Sequence, residues 1–303
     1  MALLETGMRQ WLPALLHRVL RTDKERAFQE EIDNLPAVRL SHTRFGVRSY
    51  VTAGEGKHTV VFESGLGNGK EVWAPVFNAL RANSRVVAYD RAGYGQSDAS
   101  DLARDGAQIV EELRAMLHAE NIPSPYILVG HSLGGTIVKL FARTYPQEVA
   151  GVVLVDAREA NFVQRCKKLG LSRLLYEPPL ALFMWGRSAM RRELEAAPTT
   201  TQQARSTGAF PDVPLRVLTH HRRVFHWSRR VARAWADGQS SMAGMSAKGR
   251  IKVCERSGHH IHRDRPDLVA RAIRSVLAAV QTRTPGQARV GGAVNADGRR
   301  QTA

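Results

Sequence analysis

Three kinds of side chain in this sequence could share one reaction centre: a serine between glycines, histidines that follow a glycine, and a carboxylate closing an apolar run. Gly130-His131-Ser132-Leu133-Gly134 has the G-x-S-x-G spacing. The apolar run Tyr126–Val129 enters it and a helix-periodic run leaves it. A serine on a sharp strand-to-helix turn needs small neighbours so that the chain can pass, and its hydroxyl then stands clear of the sheet. The new helix directs its N-terminal amides at negative charge that develops there. Ser132 is therefore the candidate nucleophile. His131 is read as a packing residue, because neighbouring side chains in such a turn point apart and a base must lie within hydrogen-bond reach of the hydroxyl.

The base is sought in Ser257-Gly258-His259-His260-Ile261-His262. The acid is harder to place. The strand-like stretch Leu215–Arg223, LRVLTHHRR, has no Asp or Glu behind it until Asp237. Asp237 lies beyond a basic segment, and Asp212 precedes the strand and so belongs at the opposite sheet edge. Asp156 ends the run Gly151–Ala157, GVVLVDA.

These residues must be held by elements that alternate. Strand patterns cover 48–54, 59–65, 84–90, 126–132, 151–157, 214–220 and a last one opening at 249. Helical periods cover 106–121, 135–149 and 264–280, the second stopped near Pro146. The third has Asp264 as its expected N-cap and Pro266 in its first turn. Short, doubly apolar strands alternating with helices predict an α/β fold, a mainly parallel central sheet with helices on both faces. Residues 158–212 break the rhythm and are read as a helical cap insertion. The expected division is an N-terminal helical segment at 1–38, a core at 39–157 and 213–281, the cap at 158–212, and a disordered tail at 282–303 rich in Gly, Thr, Ala and Arg.

Composition narrows the class. At 303 residues, 43% hydrophobic and 24% charged, the chain suits a globular protein with a sizeable core. No run of eighteen apolar residues is present, and the first twenty residues lack a basic leader and a cleavage site. Two cysteines, Cys166 and Cys254, have no disulfide or metal-ligand spacing, which favours a reducing, cytoplasmic compartment. The net charge of +16 raises nucleic acid and anionic membrane as partners. The arginines are spread along the chain without the interleaved aromatics of a nucleic-acid module, so no nucleic acid is expected. Weak peripheral contact with an anionic membrane is the residual possibility, through residues 8–33 or through the amphipathic run 222–235, RRVFHWSRRVARAW. Both are read first as surface helices packed on the core.

Taken in order, VVFESGLG, VVAYDRAGYGQSD, VGHSLGG, VVLVDA and SGHHIHRDRP resemble the α/β-hydrolase superfamily from about Arg39 to Val280. The resemblance implies an α/β-hydrolase fold, with the turn at 63–69, ESGLGNG, as the oxyanion loop. The backbone N–H groups of Leu66 and Leu133 would be the two donors. That loop lacks the Gly-Lys-Ser/Thr ending of a phosphate-binding loop. The histidine directly after the glycine, His259, matches the base, and Gly258 lets it bend over the sheet edge. His260 and His262 are read as packing. Some members of the superfamily place their acid one strand earlier than usual, and Asp156 takes that place here. Asp90 and Arg91 are read as structural.

The chemistry expected is that of Ser132, His259 and Asp156 acting on a carboxyl ester, thioester, lactone or amide through an acyl-enzyme. No metal or organic cofactor is called for. The substrate is expected to be a small acyl compound with an apolar portion, because the insertion carries an apolar run from Leu169 to Trp185 that could line an acyl pocket. Acyl transfer, cofactor-free peroxidation through a peracid, and non-catalytic binding on the same scaffold remain open at this point, as does the oligomeric state.

Overall fold

A computed structural model describes residues 22–171, 188–220 and 228–281. Its centre is an eight-stranded sheet in the order β1-β2-β4-β3-β5-β6-β7-β8. The strands are β1 (Arg39–Thr43), β2 (Gly46–Ala53), β3 (Thr59–Glu63), β4 (Arg85–Tyr89), β5 (Tyr126–His131), β6 (Val149–Val155), β7 (Leu215–His220) and β8 (Gly249–Cys254). β1 and β2 form an antiparallel hairpin and β2 also runs antiparallel to β4. The strands from β3 to β8 pair in parallel.

The described helices are α1 (Asp23–Asp33), α2 (Ala74–Leu80), α3 (Gly106–Ala119), α4 (Leu133–Thr144), α5 (Phe162–Lys168), α6 (Ser188–Ser206), α7 (Arg229–Ala243), α8 (Ile261–Asp264) and α9 (Pro266–Gln281). Every residue of β3, β5 and β6 is buried, as expected of Val/Ile/Leu runs covered on both faces. One face buries Leu128, Leu154 and Val217 against Ile137 and Phe141 of α4 and Leu113 of α3. The other buries Val129, Val153 and Leu218 against Phe77 of α2 and Ile273 of α9. A smaller cluster joins Phe162 and Cys166 of α5 to Val231 and Trp235 of α7. Both cysteines are buried.

The doubly wound α/β architecture is the one the alternating pattern predicts. The parallel strands fall where the apolar runs place them, and the elbow helix starts at once, at Leu133. The helix α2 and the short strand β1, RLSHT, were not anticipated. β1 is an edge strand with one buried residue, Ser41, so it shows no apolar alternation. Asp264 is not the N-cap of the last helix. It ends α8, and its carboxylate accepts the Gly258 N–H at 2.7 Å, which braces the histidine loop instead.

Of the helix expected at 8–33, only residues from 22 onward are described. α1 is fixed by a capping box in which Thr22 and Glu25 satisfy each other's backbone N–H. Asn78 Nδ2 then donates to the Glu31 carbonyl at 2.8 Å, docking α1 on α2. Of the helix expected at 222–235, only residues from 228 onward are described: α7 starts after Ser228, whose hydroxyl accepts from Val231 N at 3.3 Å. Val231 and Trp235 face inward, and Arg229, Arg230 and Arg233 are exposed. Val224 and Trp227 lie outside the described residues, as do most of the apolar insertion residues and the C-terminal tail. None of the described helices is long and apolar enough to cross a membrane.

Within 158–212, α6 packs on α3 and α4. Its Thr200 hydroxyl accepts the Gly106 N–H at 2.8 Å, and its Gln203 side chain accepts that of Ala107 at 3.0 Å. Two N-terminal amides of α3 that lack helical partners are satisfied this way.

Candidate active site

Ser132 stands between β5 and α4 with φ +53°, ψ −115°. A non-glycine residue is held in such a conformation only where its surroundings over-determine it. Here they do: Ser132 N donates to Val155 O at 3.2 Å, and Ser132 O accepts from Gly135 N and Arg158 N. Gly134 lies so close to β3 that a Cβ there would sit 2.4 Å from Glu63 O and 2.6 Å from Ser64 O. The first turn of α4 is thereby pressed against the start of the 63–69 loop. Leu133 is the first residue of α4, so its N–H has no acceptor within the helix. The Leu66 N–H lies in the loop, and no described backbone group accepts it.

Asp156 follows β6, also at positive φ (+45°), with its N–H donated to Leu218 O at 2.8 Å. Its side chain is fully buried. His259 Nδ1–H donates to Asp156 Oδ2 at 2.6 Å. His220 Nδ1–H donates to the same oxygen at 2.7 Å. The other oxygen, Oδ1, accepts from His220 N at 3.2 Å, Trp235 Nε1 at 3.2 Å and Thr219 Oγ1 at 3.4 Å. Burial alone would raise the Asp156 carboxyl, but the hydrogen bonds from His220 and His259 outweigh it and hold the group below the ordinary carboxylate range. Asp156 is therefore an anion with five donors around it.

The carboxylate expected at Asp156 and the imidazole expected at His259 are thus in direct contact. Ser132 makes no hydrogen bond with His259 in this arrangement. Its neighbour His131 ties the two loops together: His131 Nε2–H donates to His259 O at 3.0 Å, and the two rings lie 4.7 Å apart. Serine-to-histidine contacts are often long before substrate binds and tighten in the reacting complex. His131 is buried, as its packing role requires, and a Cβ on Gly65 would meet its Nδ1 at 2.7 Å. His262 is also buried, between the rings of His131 and Trp73. Burial, then the surrounding histidines, push His131 and His262 well below the usual histidine range, so both are neutral.

Asp156, His220 and His259 hold ligand-type atoms within 4.8 Å of one another. Both imidazoles, however, direct Nδ1 at one carboxylate oxygen. At 2.6 and 2.7 Å that is hydrogen-bond geometry, two donors on one acceptor.

The reading from sequence missed His220, Trp235 and Thr219 as partners of the acid. β6 and β7 pair in parallel with Val155 opposite Leu218, which brings Asp156, just after β6, and His220, the last residue of β7, to one sheet edge. His221 lies outside the described residues. Asp212 sits at the other end of β7, accepting from Ser246 and Lys248, and Asp237 is exposed on α7.

Beside His259 a cavity of about 490 Å³ opens between α1 and the histidine loop. Phe28, Ala27, Pro75 and Pro266 supply its apolar wall, and Lys24, Glu31 and Arg263 its charged rim.

Residues 60–272 match the family model for the "Alpha/beta hydrolase family". YqjL of Bacillus subtilis (strain 168), an uncharacterised protein, is 29% identical over 234 residues, 75% of this chain and 87% of its own. A protein of Serratia proteamaculans with the provisional name carbamate hydrolase RutD is 36% identical over 122 residues. That match takes in 39% of this chain and less than half, 45%, of the relative. Among solved structures, a thermophilic esterase from Thermogutta terrifontis superposes with TM-score 0.57 at 19% identity, covering 81% of this chain and 99% of its own, and shares the fold. By fold and by the extent of the family match, the chain belongs to the alpha/beta hydrolase family.

Proposed function

We propose that the protein is a serine hydrolase that cleaves carboxyl esters, or related thioesters, lactones or amides, through an acyl-enzyme. The observation that carries this reading is the 2.6 Å contact of His259 Nδ1 with the buried Asp156 carboxylate, on the sheet edge where Ser132 occupies its strained turn.

With Nδ1–H committed to Asp156, His259 Nε2 is the unprotonated nitrogen and a base. As Ser132 Oγ attacks the acyl carbonyl, Nε2 takes the hydroxyl proton. The Asp156 anion stabilises the imidazolium that forms. The carbonyl π electrons move to oxygen, where the Leu66 and Leu133 amides are the donors in this reading. Collapse of the tetrahedral intermediate breaks the bond to the leaving group, which takes the proton from Nε2. Water then attacks the acyl-serine, giving its proton to Nε2 and the hydroxyl to the acyl carbon. The acid leaves as Ser132 recovers the proton.

A substrate with an apolar portion belongs to the same reading, on the strength of the apolar run of the insertion. A series of p-nitrophenyl esters from acetyl to dodecanoyl tests the reading. Turnover that rises from acetyl to a medium chain, and is lost in Ser132→Ala, is expected. A folded protein inert to the whole series and to the matching thioesters and lactones contradicts it. Product analysis with added alcohol separates hydrolysis from transfer of the acyl group.

A further inference from the structure

Arg91 follows β4 and is almost completely buried. Its five N–H donors all have acceptors. Nε donates to Glu193 Oε1 at 2.8 Å and Nη2 to Glu193 Oε2 at 2.8 Å, a bidentate pair. Nη1 donates to Glu63 Oε1 at 2.7 Å. The remaining two bonds go to successive carbonyls of the 63–69 loop: Nη1 to Ser64 O at 2.7 Å and Nη2 to Gly65 O at 3.0 Å. Neutralising a buried charge explains the carboxylates. It does not explain why two donors are aimed at the backbone of this one loop.

Peptide geometry supplies the reason. The Gly65 carbonyl and the Leu66 N–H belong to one planar trans peptide and point in opposite directions. Holding the carbonyl oxygen against Arg91 turns the Leu66 N–H away from Arg91. Flipping that peptide would break the Nη2 bond and leave a buried guanidinium donor unsatisfied, which is costly. The Ser64 carbonyl, pinned the same way, fixes the preceding peptide. The loop is also gripped further on. Tyr94 OH accepts the Gly67 N–H at 3.3 Å and donates to Glu193 Oε2 at 2.9 Å. Glu193 belongs to α6, outside the sheet core, and Arg104 reaches the same carboxylate at 3.5 Å.

We propose that Arg91 is a positioning residue that locks the Gly65–Leu66 peptide with its N–H presented to the oxyanion, and that Glu193 of α6 holds Arg91 in place. The proposal rests on Leu66 being an oxyanion donor in the serine hydrolase reading. Its consequence is that α6, in the insertion, sets the donor geometry of a loop in the core.

The test is the substitution Arg91→Lys, which keeps the charge but cannot span two carbonyls and two carboxylates from one ammonium. Glu193→Gln is the milder companion, removing the charge that orients the guanidinium. Rates with a p-nitrophenyl ester are normalised to active sites counted with a fluorophosphonate, so that a smaller folded fraction does not register as slower chemistry. Arg91→Lys is expected to lower kcat about tenfold or more with KM within about twofold, as for partial loss of an oxyanion donor. The Ki of a trifluoromethyl ketone, whose adduct carries the oxyanion, should rise by a similar factor. Glu193→Gln should lower kcat about threefold or more on the same grounds.

A folded Arg91→Lys protein with kcat per site within about twofold of wild type, and an unchanged ketone Ki, overturns the proposal. Should Arg91→Lys fail to fold, unchanged kcat per site in Glu193→Gln overturns it equally. A wild-type protein that neither turns over esters nor takes the fluorophosphonate defeats the serine hydrolase reading itself, a different result.

Discussion

Asp156 is the residue around which the site is organised. Four side chains and the backbone share its two oxygens, with both imidazoles on Oδ2. An amide at this position must turn its NH2 toward donors on one side or the other. Asp156→Asn is therefore expected to cut kcat by about three to four orders of magnitude, as loss of the orienting carboxylate does in such triads. Activity within tenfold of wild type, measured per titrated site, would mean that another acid serves His259. His220 has a separate share. His220→Leu removes one of the two donors on Oδ2 and frees the carboxylate to tilt away from His259. A fall in kcat of about tenfold is expected, as for disturbance of a group that positions the base. His220→Asn, whose amide nitrogen can stand in for Nδ1–H, should recover part of it. Equal rates in both variants would assign His220 to packing alone. Asp156 was reached from the sequence because no Asp or Glu follows Leu215 before Asp237, and because it closes the apolar run Gly151–Ala157. His220 was not, because a histidine at a strand end acquires its partner only when β6 and β7 are set in register.

At the level of elements, the elbow depends on close approach between α4 and the end of β3. Gly134→Ala would drive a Cβ to 2.4 Å from Glu63 O and 2.6 Å from Ser64 O. A loss of about 1–3 kcal/mol in urea unfolding is expected from that overpacking. Activity should fall further than stability does, because the displaced backbone leads into the 63–69 loop. A neutral substitution would contradict the close contact. Strands β3, β5 and β6 were readable, since burial on both faces leaves a continuous apolar signal, and so were the periodic helices α3, α4 and α9, whereas the short α2 after β3 was not. The edge strand β1 was not, because an edge needs only its backbone to pair. Asp264 shows a different limit. An aspartate two residues before a helical proline looks like a cap, yet here its carboxylate is captured by the Gly258 N–H across the loop.

The whole molecule carries its histidines unevenly. His131 and His262 are buried and neutral in the folded protein, with their affinity for protons depressed by burial and then by neighbouring histidines. In the unfolded chain each titrates near about 6.5. Above that pH neither state binds the extra protons and folding carries no penalty from them. As pH falls through about 6.5 the unfolded chain takes up protons that the folded one refuses, so stability declines and keeps declining toward the depressed folded values. The Asp156 contribution is lost only in a lower window, below the ordinary aspartate range. Thermal melts should therefore show Tm dropping between pH 7 and 5, with a smaller drop in His262→Phe, which keeps the ring contact with Trp73. A flat profile, or an identical drop in the variant, contradicts this.

The central claim is that Ser132 is an activated nucleophile charged through His259 and Asp156. A fluorophosphonate tests it most directly, because phosphonylation requires the activated serine and no knowledge of the natural substrate. Incubation of the native protein followed by peptide mass spectrometry should find one adduct per chain, on Ser132. Labelling should be lost in Ser132→Ala and on denaturation, and should be slowed strongly in Asp156→Asn. A folded protein that takes no label, or takes it at another residue at the same rate when Ser132 is removed, would contradict the account.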